Sequence, residues 1–541
     1  MRYLLLFLCL ATTFLHAQTQ PNILLIIADD LGVDRLNGYF EGQLMATTPT
    51  LDSLRAAGLT FTNAAAAPSC APTRAAIMAG KYGVKTGVLT VPGNLAADGA
   101  SVFDALAEET AGAYATALIG KWHLTTPATV NAPFAFGMDD YEGYLRGAPA
   151  DYFAWTRVRN GATFQETEYI TTALTNAAAA WMDAQTQPWF LWLAHAAPHS
   201  PLHVPPAGTF SVGNPTNNNR RYVAMVEALD FEMGRLFAGM TAEERANTLV
   251  IFVGDNGTPN NVLQGYPNGR GKGSLYQGGV RVPLIVSGAG VTRAGEREAA
   301  LVHVTDLYAT ILQGARPQVP GEVAEQGRFN SLGFYDLLGE DHATAITRDY
   351  NYGEVDNGNE ERSGFYVRND RYKLIDFDAG AQEFYDLAVD SFELNNLLLT
   401  ALSADLAAVK TDLEAEALAI RTGWSCRDHI RNGEETGVDC GTVACGSCST
   451  ATPVTTTADG LTVYPNPVAD LLEIRLPEER IQTVEIYGAA GRRLLRQTVN
   501  GTPWATVDVR ELPAGNALVV LRSRAANGAE RLRRRLVSIV R

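Results

Sequence analysis

Three things are scarce in this chain. Beyond the first 20 residues no stretch reaches about 18 uninterrupted apolar residues, the length that a membrane-crossing helix needs, so no transmembrane span is expected. Positive charge is short as well: 43 Lys+Arg face 59 Asp+Glu, a formal net charge of −16, which argues against nucleic acid as a partner. The shortage is uneven. Residues 461–541 hold 13 Lys+Arg against 8 Asp+Glu, a balance of +5, and the remainder carries −21, which places a composition break near residue 450. Cysteine is scarcest, with six in 541 residues. Cys9 sits in an apolar leader, Cys426, Cys440, Cys445 and Cys448 cluster within 23 residues, and Cys70 stands alone. An unpaired cysteine in an exported chain is either a buried free thiol or a reactive site.

What is present begins with an address. The opening "MRYLLLFLCLATTFLHAQTQ" sets one arginine before an apolar run, with a small residue at Ala17. That is the layout of a secretory signal peptide, residues 1–17, too short to serve as a membrane anchor. Four later runs, "NILLIIADDLG", "YATALIGKWHL", "WFLWLAHAAPH" and "TLVIFVGDNG", are continuously apolar and end abruptly in polar residues. Continuous hydrophobicity signals strands buried on both faces, and the helical stretches between them point to an α/β layered domain with a large, mixed, mostly parallel sheet. In such sheets ligands bind at the carboxyl ends of the strands. Those ends read Asp29-Asp30, Lys121 and His123, His199, and Asp255-Asn256. Asp29, Asp30, Asp255 and Asn256 offer only oxygen, which suits a hard divalent cation.

After residue 340 the pattern changes. "GFYVRNDRYKLIDF" and "QEFYDLAVDSFELNNLL" read as short antiparallel strands, with a helix following from about Leu399 to Ile420, a smaller antiparallel-sheet subdomain. Residues 424–450 form a Cys-rich insert, read as two disulfides in preference to a zinc site; four cysteines permit three pairings and the sequence does not choose among them. "STATPVTTTADG" is a polar linker. From Leu461 onward, regularly spaced strands suggest a small β-sandwich. The basic run Arg531 to Arg535 reads as a solvated face.

Cys70 opens "CAPTR", followed by "AAIMAGKYGVKTG". Pro72 suits a first helical turn and Gly80 a helix end, and a helix amino terminus favours an anion beside it. This stretch resembles the C-x-P-[ST]-R signature of the type I sulfatases, in the alkaline phosphatase superfamily. "PNILLIIADDLG", "GKWHL", "LAHAAPHSPL", "GDNG", "GRGKGSLYQGGVRVPLIV" and "EFYDLAVDSFELNNL" resemble further blocks of that family in the expected order, over roughly residues 20–420. The resemblance implies that Cys70 is oxidised to Cα-formylglycine by a separate formylglycine-generating enzyme acting before folding. The hydrated aldehyde has two hydroxyls, one to attack the sulfur of a sulfate ester and one whose deprotonation expels sulfate, so one hard step becomes two easier ones.

The resemblance also distributes roles. Asp29, Asp30, Asp255 and Asn256, with an oxygen of the converted Cys70, hold one calcium ion, magnesium being the less favoured alternative. Arg74 and Lys121 hold the formylglycine and sulfate oxygens. His123 accepts the proton that triggers sulfate release, and His199 and Lys272 clamp the sulfate and protonate the leaving oxygen. His195 and His303 read as packed residues. Two departures touch the leaving-group side: the region "GYLRGAPADYF" has no counterpart of a polar residue that often follows "GKWH", and Gln277 stands where many relatives carry an acid. Residues 461–541 resemble the C-terminal sorting domain of the type IX secretion system.

The expected organisation is therefore a signal peptide (1–17), a catalytic α/β domain (18–340), a C-terminal subdomain (341–422), a Cys-rich spacer and linker (423–460) and a sorting β-sandwich (461–541). The function implied is a secreted or surface-attached sulfatase acting on a sulfated glycan or another sulfate ester. A phosphodiesterase or phosphonate monoester hydrolase on the same scaffold is the rival, and an inactive glycan-binding protein the third reading.

Overall fold

The four apolar runs form the middle of one ten-stranded sheet. In chain order its strands are β1 (Asn22–Ala28), β2 (Gly58–Ala65), β3 (Ala115–Lys121), β4 (Asp140–Tyr144), β5 (Trp155–Arg159), β6 (Ala162–Glu166), β7 (Trp189–Ala194), β8 (Thr248–Gly254), β9 (Leu284–Gly288) and β10 (Arg297–His303). The computed structural model describes residues 20–39, 42–316, 327–423 and, with short gaps, 462–539. The signal peptide and the Cys-rich insert with its linker lie outside the described residues.

The spatial order is β10-β2-β9-β8-β1-β7-β3-β4-β5-β6. From β8 to β4 all neighbours are parallel, as are β10 and β2. β9 runs antiparallel between β8 and β2, and β5 and β6 form an antiparallel edge. The continuous hydrophobicity has its cause in this geometry. In β1, Ile23, Leu25 and Ile27 enter one core while Leu24, Ile26 and Ala28 enter the other, all fully buried. Each such aliphatic side chain contributes about 1.5–3 kcal/mol on burial, so both faces must be apolar. Helices Cys70–Ala79, Val102–Thr110 and Asp306–Ala315 cover the first face, and Ile170–Asp183 and Asn218–Gly239 cover the second.

A separate four-stranded antiparallel sheet follows: Asn351–Val355, Gly364–Arg368, Tyr372–Phe377 and Gln382–Asp386, paired in chain order. Leu413, Ala417 and Ile420 of the helix Ala404–Thr422 pack against its Val367, Leu374 and Phe384. This helix starts later than the expected Leu399. Ser403 caps it, its Oγ accepting the Leu406 N–H at 3.3 Å, and a serine at that place satisfies an otherwise unpaired amide; residues Leu397–Leu399 form a short 3-10 turn instead.

Residues 462–539 form a second compact unit. Thr462–Tyr464, Leu471–Arg475 and Trp504–Asp508 make a three-stranded sheet. Arg493–Thr502, Glu479–Gly488, Gly515–Ala525 and Glu530–Ile539 make a four-stranded one. Both are antiparallel and both contribute to one apolar core, with Leu472, Ile474 and Val507 from the first and Ile486, Val519 and Leu521 from the second. The fold class is therefore the one read from the sequence. No helix among the described residues is long and apolar enough to cross a membrane.

Candidate active site

β8, β1, β7 and β3 lie side by side and in register (Ala28 beside Gly254, Ile27 beside Ala194, Gly120 beside Ala194). Their chains therefore leave the sheet at one edge. Asp29 and Asp30 follow β1, Lys121 ends β3, His199 follows β7, and Asp255 and Asn256 follow β8. The helix Cys70–Ala79 begins on the same edge. Ser69 enters it extended, Cys70 is its first residue, and Gly80 closes it in the left-handed region with φ +64°, its N–H donating to the Ala76 carbonyl at 2.9 Å. Arg74 lies one turn after Cys70, hence on the same helix face.

The residues expected to carry the chemistry meet here. Cys70 Sγ lies 3.3 Å from His123 Nδ1. Arg74 Nη2 lies 2.9 Å from Asp255 Oδ2 and 3.9 Å from Asp29 Oδ2. Lys121 Nζ donates to Asp29 Oδ2 at 2.5 Å. Lys272 Nζ lies 2.5 Å from Asp30 Oδ1, and His199 Nε2 lies 3.6 Å from Asp30 Oδ2. The Asp30 N–H donates to Asp255 Oδ1, and Asn256 Nδ2 to Asp30 Oδ1, each at 2.9 Å. Asp29, Arg74, Lys121, Asp255 and Asn256 are fully buried and Cys70 is 2% exposed.

The donor set fits a hard cation. Asp29 Oδ1 and Asn256 Oδ1 are buried and accept no hydrogen bond from the described residues, whereas buried oxygens are almost always paired. Ligand atoms of Asp29, Asp30 and His199 also lie within 4.8 Å of one another. Burial raises the Asp29 carboxyl, but Lys121, His199, Arg74 and Lys272 together outweigh it and hold Asp29 below the usual carboxylate range. Burial, then the Asp29 charge, raises Asp255 to about 7 despite Arg74 and Lys121. Two carboxylates in one dry site thus oppose each other, a conflict that a divalent cation relieves.

A model of the sulfatase family matches residues 21–316, more than half of the chain. The chain belongs to the sulfatase family. The family of the N-sulphoglucosamine sulphohydrolase C-terminal region matches residues 271–421 of this sulfatase-family chain, and that of the secretion system C-terminal sorting domain matches 462–532. The sorting domain indicates type IX secretion. Arylsulfatase J of Mus musculus is 30% identical over 334 residues, 57% of this chain and 55% of that protein. The chain thus matches little more than half the length of that relative. A sulfatase of Formosa agariphila is 28% identical over 478 residues, 71% of this chain and 85% of the other. The crystal structure of Ps i-CgsB in complex with k-i-k-neocarrahexaose is similar with a TM-score of 0.62 at 26% identity, covering 75% of this chain and 95% of that one.

The remaining electrostatics of the site separate its charged side chains from a neutral one. Burial works against Arg74 and Lys272, yet Asp255 and Asp29 for the first and Asp30 for the second raise both above their ordinary values, so both stay charged. Burial, then Lys121 and Arg74, lowers His123 to about 2, so it stands neutral. Burial pushes the Cys70 thiol up although Lys121 and Lys272 oppose it. That is the reverse of an activated cysteine nucleophile, whose thiol is made more acidic.

The region "GYLRGAPADYF", where no polar counterpart stands, has a clear packing role. A Cβ at Gly147 would lie 2.6 Å from His123 Cε1 and Nε2, so only glycine leaves room for that ring. Tyr152 Oη lies 2.7 Å from both the Ala196 and the His199 carbonyl oxygens, which share its single proton, and so it holds the backbone of His199. Sequence reasoning missed Tyr152, and no spacing signal marks it. His195 is fully buried, and His303 packs its ring 5.0 Å from that of Tyr82. The Gln277 backbone N–H donates to Glu393 Oε2 at 2.6 Å, so the carboxylate that meets this position comes from the loop that follows the second sheet's last strand, Gln382–Asp386.

Proposed function

We propose that the chain is a secreted or surface-attached sulfatase that hydrolyses sulfate esters of a sulfated polysaccharide or oligosaccharide, with Cys70 converted to Cα-formylglycine and one calcium ion bound. The observation that carries this reading is the surrounding of Cys70: a helix-first side chain 3.3 Å from a neutral histidine, with Arg74, Lys121, Lys272 and four oxygen-bearing residues at the same sheet edge. The match of Ps i-CgsB, whose crystal structure holds k-i-k-neocarrahexaose, supports a glycan as the leaving group.

Asp29, Asp30, Asp255 and Asn256 would hold the ion, which supplies charge neutralisation for sulfate and polarises an oxygen; a site of carboxylate and amide oxygens tolerates calcium's loose geometry better than magnesium's strict octahedron. The converted residue, hydrated, supplies one hydroxyl to attack sulfur and a second to expel sulfate. Arg74 and Lys121 fix the oxygens around position 70. His123, whose Nδ1 lies 3.3 Å from Cys70 Sγ, takes the proton of the second hydroxyl. His199 and Lys272 grip the sulfate and deliver a proton to the leaving oxygen. A net charge of −16 repels a polyanion, so this local cluster of cations must focus the attraction.

On this reading residues 18–340 and 341–422 make up the enzyme, 1–17 is the export signal, 423–460 a spacer, and 461–541 the sorting module read by the type IX machinery. A formylglycine-generating enzyme acts on the unfolded chain, since Cys70 is 2% exposed once folded. The test is the intact mass of the peptide across residue 70 together with rates on a panel of sulfated oligosaccharides, an aryl sulfate and an aryl phosphodiester. Conversion lowers the mass by about 18 Da. A fully active preparation that retains an unconverted side chain sinks the formylglycine mechanism, and faster phosphodiester than sulfate turnover sinks the substrate class.

A further inference from the structure

The segment Arg270 to Gln277 carries Lys272 and lies against the site. Beyond the contact of Lys272 Nζ with Asp30, the Gly273 N–H donates at 2.8 Å to the carbonyl of Pro68, two residues before Cys70, and the Lys272 N–H donates at 2.9 Å to the Thr258 carbonyl. The segment has few internal bonds; Asn260 braces it, accepting the Gly271 N–H at 2.9 Å and donating to the Lys272 carbonyl at 3.2 Å.

Its two ends are attached to one residue of the second sheet region. Glu393 is fully buried, with Oε1 2.7 Å from Nζ of the equally buried Lys373 in strand Tyr372–Phe377. Its Oε2 accepts the Gln277 N–H at 2.6 Å, and its carbonyl accepts the Arg270 guanidinium. That guanidinium also lies 4.1 Å from the centre of the Tyr276 ring. Glu393 adopts φ +58°, the left-handed region that non-glycine residues seldom enter. A buried ion pair is weak evidence for stability, because well-packed apolar residues often replace one without loss. This pair therefore calls for another purpose, and its geometry supplies one.

We infer that Glu393, neutralised by Lys373, is a positioning residue: it fixes both ends of the Lys272 segment and so sets how far the Lys272 amine reaches into the sulfate pocket. The carboxylate contributes an acceptor, and Lys373 lets that acceptor exist inside the protein. The inference rests on the assignment of Lys272 to sulfate made above.

Two double variants of the full chain separate positioning from stability. K373M/E393Q removes both charges and keeps an oxygen for the Gln277 N–H; K373M/E393L removes the acceptor as well. The expected result is a kcat/KM for a sulfate ester about 10-fold or more below wild type in K373M/E393L and within about threefold of it in K373M/E393Q, the difference vanishing in a K272A background. Hydrogen exchange at residues 271–277 is expected to quicken in the leucine variant and not in the glutamine one, a readout that needs no turnover. Equal kcat/KM in the two variants, or a loss that multiplies undiminished onto K272A, overturns the inference. Should a double variant fail to fold, R270Q, which releases the grip on the Glu393 carbonyl, is read by the same cycle with K272A. A wild-type protein inactive on every sulfate ester would refute the proposed function instead, and the exchange comparison would still decide whether Glu393 anchors the segment.

Discussion

The strand-end edge of the ten-stranded sheet and the interior of the unit at 462–539 solve opposite problems. The edge buries Asp29, Asp30, Arg74, Lys121 and Asp255, none more than 2% exposed. The interior of the second unit is made of Leu472, Ile474, Val484, Ile486, Val507, Val519 and Leu521, while Arg493 and Arg496 keep half-exposed side chains beside Glu485. Desolvated charge is costly unless paired, so the edge is held in place by the two apolar cores beneath it rather than by its own contacts. A region built for chemistry spends stability that a region built only to be recognised keeps.

Substitutions on the two sides should part completely. Cys70→Ala is expected to lower kcat by about 10⁵-fold, the scale of a lost nucleophile, with little change in melting, whereas removing residues 462–541 should leave kcat on a soluble sulfate ester within about twofold. Activity surviving in the alanine variant would break the contrast. Chelation sharpens it: stripping divalent ions should cost about 10³-fold in rate and lower the melting temperature of residues 20–423 alone, with calcium restoring both better than magnesium. Differential scanning calorimetry, in which each unit gives its own transition, checks the second half of that statement.

A smaller effect is expected from the other side. Ile486 is fully buried in the second unit, and Ile486→Ala should destabilise that unit by about 3 kcal/mol through lost burial and a cavity, leaving kcat/KM untouched. The smallest effect concerns an acid outside the active site. Asp230 accepts the Thr50 and Leu51 N–H groups at 3.0 and 2.8 Å, yet burial raises its carboxyl from 3.8 to about 6. The folded chain then binds this proton more tightly than the unfolded chain does. Its contribution is full below pH 3.8 and is lost as pH rises through about 6. Denaturant midpoints across that window should show a slope that Asp230→Asn flattens.

How much of this was legible in the sequence follows from who buries whom. β1, β3, β7 and β8 announce themselves because neighbours cover both faces, leaving no polar alternation. β5 and β6 do not, since Ala162–Glu166 is nearly all exposed and reads like a loop. β9 is an apolar run indistinguishable from its parallel neighbours, and its reversed direction arises from the pairing with β2 and β8. The gathering of the candidate site residues was legible because strand ends collect them and short motifs mark them. Tyr152, Arg270 and Glu393 were not: each acts through a backbone atom or segment far away in the chain, 116 residues in the case of Glu393 and Gln277, and such a contact leaves no local pattern.

The depth of Cys70 has a consequence for any population of these molecules. On the proposed chemistry, a chain that folds before its thiol is oxidised closes the door on the enzyme that would have changed it. Two molecules of the same shape can then differ wholly in output, and the specific activity of a batch counts the biographies of its chains, a fraction that refolding without the converting enzyme leaves unchanged.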